Sequence, residues 1–421
     1  MKTSSIIGHV REALEEFFAS DRIPSDLLLR KFTRQRRYLG SRDRREIAAL
    51  YYDFLRLAPR WFGQIGEDER GGVETLPRAF AISLLVSSAV DEKDVSVGCG
   101  VDSNDLDIHL GPAAGDRLPA DEFGLPVWLY DRFALSFGNE TRDLCRSLLR
   151  PAPIGRRVKQ QAISREEAAA EITEATSVDA APSPYAPHGL RLEKRIALDA
   201  IKAVRIGHVV VQSEASQLAV ASLGDIEGRS VFDACAGAGG KTLQLASVVG
   251  RAGHVFADDI DQTRLRRLEH RIRASRYGDR VRVCSWGNIE EADRPDVVLV
   301  DAPCSGSGTL WRNPGMRLRL EAAALTSYRA TQASILKEWE SRIEVGGTIV
   351  YATCSLLPEE NEEQVADFLA LFSGWERVDL RKVRNELPDA VFTEVGDIAT
   401  TPHRHGIDGF YVAVLRCVHR V

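Results

Sequence analysis

From Ile6 to about Val90, apolar residues recur at three- and four-residue spacing, as in Val10, Leu14, Phe17 and Phe18 and again in Ile47, Leu50, Tyr51, Phe54 and Leu55. That spacing places one apolar stripe on each of several helices and predicts a helical bundle. From Asp91 to Leu125 the periodicity is lost and the composition turns acidic and rich in Gly, Ser and Pro, which predicts a loop or linker. A helix is expected again from Pro126 to about Phe137, with Trp128 and Phe133 turned to the core. Between Pro151 and Gly207, Ser164 followed by Glu167 forms a capping box that opens a helix to Thr173, flanked by strand-like pieces at Arg156 to Gln160 and Val209 to Gln212. From about Val209 onward strand and helix periodicities alternate, with apolar strands near Val231, Val255, Val281, Val297 and Thr348, which argues a doubly wound parallel sheet with right-handed crossovers. The expected organisation is multidomain: an all-α bundle at 1–145 with its loop at 91–125, a small α/β module at 146–208, and a Rossmann-like α/β domain at 209–421.

The chemistry gathers where two of those strands end. In VVLVDAPCSGSGT, an unbroken apolar run from Val297 to Val300 suits a strand buried on both faces. Asp301 falls at its carboxyl edge, and Cys304 is presented on a turn loosened by Gly306 and Gly308. The run from Thr348 to Ala352 stops in the same way at Thr353-Cys354-Ser355. The two thiols are 50 residues apart in the chain, an interval that suits one crossover helix between Leu318 and Ile343 and neighbouring strands. In open α/β sheets that edge is where ligands bind.

A glycine loop, DACAGAGGKT from Asp233 to Thr242, supplies the second half of a site. It lacks a Gly at Cys235 for a phosphate-cradling P-loop, and a third Gly at Thr242 for a dinucleotide fingerprint. Acids follow at Asp258, Asp259 and Asp261, and Asp259 lies 20 residues beyond Gly239, the interval at which a carboxylate reaches a ribose. An adenosine without a pyrophosphate is indicated, S-adenosylmethionine being the common one. A thiol pair beside an acid suits methylation of cytosine at carbon 5, because that carbon becomes nucleophilic only after a thiolate adds at carbon 6. Asp301 would stabilise the adduct at ring nitrogen 3, and a second group must assist release. Either cysteine taken alone reads as a small buried hydrophobe; the pair beside Asp301 does not. Cys99, Cys145, Cys284 and Cys417 are assigned to structure.

With 421 residues, two or three domains are expected, and 44% hydrophobic with 28% charged residues describes an ordinary soluble protein. No apolar run approaches the roughly 20 residues needed to span a bilayer, and the amino terminus carries no apolar signal region, so a cytoplasmic location is expected. The seven cysteines form no CxxC pair, and His403 with His405 reads as a solvated loop, so no metal is expected. The net charge of −6 does not advertise nucleic-acid binding. Local basic groups could still serve it, namely Lys31, Arg34, Arg36, Arg37, Arg42, Arg44 and Arg45, and a second from Arg264 through Arg266, Arg267, Arg271 and Arg273 to Arg276.

From Pro151 onward the chain resembles the RNA 5-methylcytosine methyltransferases related to the bacterial small-subunit rRNA enzyme, the Sun or Fmu family. The resemblance is carried by DACAGAGGKT, DAPCSGSGT, ATCS with Pro358-Glu359-Glu360-Asn361, and Asp408-Gly409-Phe410-Tyr411. It implies Cys354 as nucleophile, Cys304 as the thiol of product release, Asp301 as the acid on the base and Lys241 closing the glycine loop. The cofactor set it implies is Ala234, Cys235, Ala236, Gly237, Gly239, Gly240, Lys241, Asp259, Arg264, Asn288 and Asp301. Arg157 and Arg312 are the implied RNA contacts, and Pro314 with Arg312 in WRNPG frames the nucleotide. Two positions depart from the family: Asn288 stands where many relatives have Asp, and Lys159 where they have Asn. The stretch from Arg37 to Arg56 is similar to the NusB-type domain that precedes the rRNA enzyme, which turns the expectation toward 16S rRNA over tRNA. A nitrogen-directed methyltransferase and a non-catalytic RNA-binding assembly factor are the rival readings. A monomer is expected.

Overall fold

The structure, a computed structural model, describes residues 1–20, 23–67, 71–87, 90–102, 119–159, 161–192, 194, 196, 201–275 and 277–420. Most of the expected linker, 103–118, lies outside those residues, as do Gln160 and Arg276. The chain forms two compact units, Met1–Pro151 with Leu310–Ala322, and Ala152–Thr309 with Ala323–Val421.

The first unit is helical. Thr3–Phe18, Ser25–Gln35, Ser41–Gln64 and Leu76–Ser87 bury Val10, Leu14, Phe17, Phe32, Phe54 and Phe80 in one core, as the apolar spacing requires. The expected loop after Asp91 begins instead with a helix, Glu92–Cys99. Eight residues, half of them polar, are too few for periodicity to show, but the helix is fixed at both ends: the Asp91 side chain accepts the Lys93 N–H at 2.9 Å, and Gly100 closes it at φ 69°. In the next helix, Val127–Phe137, Leu129 and Phe133 are buried while Trp128 is only half-buried, correcting its expected place in the core. The later segment Leu310–Ala322 completes this unit. Its Arg317 is buried and donates to the carbonyls of Phe123 at 3.1 Å and Leu148 at 3.3 Å and to that of Arg56, while Leu318 joins the core.

In the second unit, β1 (Ile154–Val158), β2 (Ala180–Pro182), β3 (Gly189–Leu192) and β4 (Val209–Val211) form an antiparallel sheet in the order β2-β3-β1-β4. Val209–Val211, expected as a strand flanking the small module although the larger domain is set to begin there, pairs with β1 and finishes the small sheet. The helix Arg165–Thr176 lies on it, and its capping box forms as expected, with Glu167 N–H to Ser164 Oγ at 3.1 Å and Ser164 N–H to Glu167 Oε2 at 2.9 Å.

The large sheet contains β5 (Ser230–Asp233), β6 (His254–Ala257), β7 (Val281–Val283), β8 (Val297–Asp301), β9 (Thr348–Thr353), β10 (Trp375–Arg377), β11 (Ile398–Thr400) and β12 (Phe410–Cys417). Its order is β10-β12-β9-β8-β5-β6-β7, with β11 on β12; β5 to β9 run parallel and β12 is antiparallel to β9. Successive residues alternate between two cores. Val231, Leu299, Val350 and Val412 face one, Phe232, Val298, Val300, Ile349 and Tyr411 the other. This is why β8 and β9 read as unbroken apolar runs. The helices Gly240–Val248 and Gln262–Arg273 cover the first face, and Ala322–Glu340 and Glu362–Leu371 the second. The strand order reverses beside β5, so the carboxyl ends of β5 and β8 flank the crevice at the switch point.

Candidate active site

Parallel pairing of β8 with β9 sets Asp301 opposite Ala352, so both strands finish within a residue of one another and the loops beyond them face each other. The Sγ atoms of Cys304 and Cys354 are 3.4 Å apart. Backbone bonds fix that approach: Ala302 N–H donates to Ala352 O at 2.8 Å, and Gly308 N–H to Cys354 O at 3.0 Å. Gly308 is required there, because a Cβ on it would stand 2.2 Å from the carbonyl oxygen of Gly409, whose own N–H donates to Gly308 O at 2.9 Å. The Asp408-Gly409-Phe410 turn thereby packs on the first cysteine loop.

At the end of β8, Asp301 Oδ2 accepts from Lys241 Nζ at 2.6 Å, and that ammonium lies 5.3 Å from the centroid of the Phe410 ring. Burial alone would lower Lys241, but the carboxylates of Asp301 and Asp233 outweigh it and the net direction is up, so the lysine is a fixed cation. Cys304 is pushed well above an ordinary thiol, first by its hydrogen bond with Cys354, then by burial and by the charge of Glu360. Cys235 is pushed up by burial and nearby acids and stays a thiol.

The glycine loop crosses from β5 into the helix Gly240–Val248. Gly237 at φ 54° and Gly239 at φ 82° supply the left-handed turns, and a Cβ at Gly239 would strike Leu268. Asp259 holds the loop with both oxygens, Oδ2 accepting Gly237 N–H and Oδ1 accepting Asp261 N–H, each at 2.8 Å. Behind it Arg271 donates to Ala238 O. A Cβ at Gly237 or Gly240 would stand in open space, so the loop leaves room for a ligand along its backbone. Ala234, Cys235 and Ala236 line the same turn between β5 and Gly237. These residues fit an adenosyl group.

Other positions fall differently. Arg157 is 2% exposed and donates to Gln212 Oε1 at 2.6 Å, with burial pulling it down to about 10, so the expected RNA contact is a buried brace. Its bond begins a chain that runs on to Gln244 at 2.5 Å, tying the small sheet to the large one. Arg264 is exposed and pairs with Asp261 at 3.3 Å. Asn288 is exposed in the short turn Trp286–Asn288. Arg312 is half-buried in 310–322, part of the helical unit. His405, expected in a solvated loop, is buried: it accepts Thr401 N–H at Nδ1, which leaves Nε2–H to donate to Ala390 O at 2.8 Å. Among the described residues no group of His, Cys, Asp or Glu could hold a metal, and no helix is long and apolar enough to cross a membrane. Of the basic groups, Arg36 pairs with Glu12 and Arg42 with Glu46.

Three residues at the site were not reached from sequence. Ile260, beside Asp259, is fully exposed. Asp233 is buried at the end of β5, accepting from Thr242 Oγ1 at 2.7 Å, and burial pushes it up to about 7. Glu360 is completely buried behind the thiols. An exposed isoleucine between acids was the one signal available; the other two depend on tertiary burial.

Residues 220–416 match the model of the 16S rRNA methyltransferase RsmB/F family, and residues 125–199 that of the ferredoxin-like domain of RsmF/B-like methyltransferases. A probable ribosomal RNA small subunit methyltransferase B of Synechocystis is 31% identical over 304 residues, 70% of this chain and 67% of that protein. The ribosomal RNA small subunit methyltransferase B of Yersinia enterocolitica is 30% identical over 69% of this chain and 66% of its own length, just under two thirds. Among solved structures, PH0851 is similar over 99% of both chains at 25% identity and a TM-score of 0.79.

Proposed function

Because this chain belongs to the RsmB/F family of S-adenosylmethionine-dependent rRNA methyltransferases, we propose that it methylates cytosine at carbon 5 in 16S rRNA through a covalent bond to Cys354. The observation that carries this reading is the meeting of two sulfurs at 3.4 Å beside the Lys241–Asp301 pair, at the carboxyl ends of adjacent strands. A nitrogen-directed enzyme has use for an acid at that edge and none for two thiols.

S-adenosylmethionine would supply the methyl group, and the glycine loop, Asp259 and Ile260 would hold its adenosyl part. The Cys354 sulfur, its proton given up to water, bonds to carbon 6 of the cytosine, the carbon 5–carbon 6 π pair shifts to carbon 5, and the charge that builds at nitrogen 3 is offset by the Lys241 ammonium that Asp301 holds. Once carbon 5 carries the methyl group, its remaining proton must leave. With Cys354 bonded to carbon 6, its hydrogen bond no longer raises Cys304, which gives up its own proton to water and, as the thiolate, takes the carbon 5 proton. The C–H electrons re-form the ring double bond as the carbon–sulfur bond breaks, and Cys354 departs with the pair. A target base outside its stack is needed to reach this crevice, at a cost of a few kcal/mol, least in an unpaired rRNA loop.

The test is nucleoside analysis of a protein-free 16S transcript incubated with the protein and methyl-labelled S-adenosylmethionine. Label is expected in 5-methylcytidine, and Cys354→Ala is expected to lower turnover by about three orders of magnitude or more. Label on a ring or exocyclic nitrogen, or turnover retained by Cys354→Ala, would refute the reading.

A further inference from the structure

The mechanism needs two sulfurs held within contact on loops that belong to different strands, and the backbone bond from Gly308 N–H to Cys354 O is the last main-chain tie between them. One buried carboxylate joins them as well. Glu360, in the turn Pro358–Glu360, is completely buried, and both its oxygens are occupied by groups from three elements. Oε1 accepts the backbone N–H of Ser305 at 2.8 Å and Nε2 of Gln332 at 3.1 Å. Oε2 accepts the hydroxyls of Ser305 and Ser355, each at 2.5 Å. Ser305 follows Cys304 and Ser355 follows Cys354, so a single side chain clasps the residues next to both thiols.

The surroundings complete the clasp without leaving a hydroxyl hydrogen unplaced. Ser305 and Ser355 spend theirs on the carboxylate, and Ser307 lies 3.2 Å from Ser355 Oγ while accepting Leu356 N–H at 2.8 Å. Gln332, from the helix Ala322–Glu340, also donates to Pro303 O at 3.0 Å, which carries the tie back toward Asp301. The Glu360 carbonyl is itself held by the Tyr351 hydroxyl at 2.6 Å. Charge-assisted bonds of this length to an ion cut off from water are the strong kind, and four on one carboxylate fix its position firmly.

We propose that Glu360 is a positioning residue that sets the distance between the two catalytic sulfurs. This rests on the covalent reading above and goes beyond it by assigning a residue that touches neither substrate nor cofactor. Its negative charge also faces Cys304, together with Cys354 and the hydroxyls of Tyr328 and Tyr351, and holds Cys304 toward the thiol.

Glu360→Gln is the test, since it keeps the shape, removes the charge and turns an NH2 group on to donors. In single-turnover assays on a protein-free 16S transcript, kcat is expected to fall roughly 30- to 100-fold with S-adenosylmethionine affinity unchanged. The rise of adduct release with pH is expected to set in at lower pH, an effect that loss of rigidity alone does not produce. Turnover within twofold of the parent, cofactor affinity lost in proportion to turnover, or an unmoved onset would each overturn the proposal. Should Glu360→Gln fail to fold, Ser355→Ala, which keeps the charge, is expected to slow turnover severalfold at unchanged cofactor affinity; turnover within twofold would overturn it equally. Cys354→Ala in the same series separates the two ideas: if that variant stays active the covalent reading has failed, whereas a dead Cys354→Ala beside an unaffected Glu360→Gln condemns only the clasp.

Discussion

A carboxyl sealed from water keeps its charge only if enough donors reach it, and this site holds one that has them and one that does not. Glu360 receives four bonds; Asp233, equally buried, receives a single side-chain bond, from Thr242. Burial therefore pushes Asp233 up to about 7, above its unfolded value near 4. A group raised in the folded state stabilises most below its unfolded pKa, and that contribution is lost as pH rises through the folded one. Asp233→Asn is accordingly expected to match the parent near pH 4 and to exceed it progressively by pH 7, by up to about 4 kcal/mol. Denaturant titrations at both pH values check this; a constant difference would show that Asp233 is ionised throughout. The contrast also explains what could be read in advance. Cys304, Cys354 and Asp301 were legible because each ends an apolar run, whereas Arg157 has the same type and spacing whether it meets RNA or, as here, Gln212.

Strands and their exits set the scale at which the two loops are brought together. The pairing of β8 with β9 was legible from two similar runs that stop in Asp-Ala-Pro-Cys and Thr-Cys-Ser, with one helix's length between them. What the pattern could not say was which sheet a short run joins. Val209–Val211 is apolar in either, and only its pairing with β1 assigns it to the small sheet. The helix Glu92–Cys99 was hidden for a related reason: its stripe is only Val95 and Cys99, too short for periodicity to show, and its ends are set by caps. Close approach of Gly308 to Gly409 is the tightest constraint on these exits. Gly308→Ala would force the two backbones apart and carry the Cys354 carbonyl with them, and is expected to cost about 1–3 kcal/mol of stability and to lower turnover by tenfold or more. Gly63→Ala, in a helix where the new Cβ meets nothing within 4 Å, serves as the control and is expected to leave activity unchanged. Equal effects from both would show that the contact with Gly409 does not matter.

Across the whole molecule, the chain order and the order of its units differ. Directly after Thr309 the polypeptide enters the helical unit for Leu310–Ala322 and then returns to the α/β unit. The alternating periodicity showed a single C-terminal domain, because nothing in WRNPGMRLRL marks it as belonging to a bundle some 160 residues earlier in sequence. Arg317 anchors it, and burial together with the charge of Arg56 pulls the guanidinium down to about 9. Arg317→Met would fill the space while stranding the carbonyls it serves, and is expected to lower the stability of the helical unit by about 3 kcal/mol; an unchanged thermal midpoint would argue that water replaces it. The central claim, a sulfur–cytosine bond broken with the help of a second thiol, is tested most directly with Cys304→Ala purified from cells under denaturing conditions. The account requires RNA covalently attached at Cys354, with the attached fragment coming from 16S rRNA. Protein free of nucleic acid, from cells in which the parent modifies its target, would contradict it.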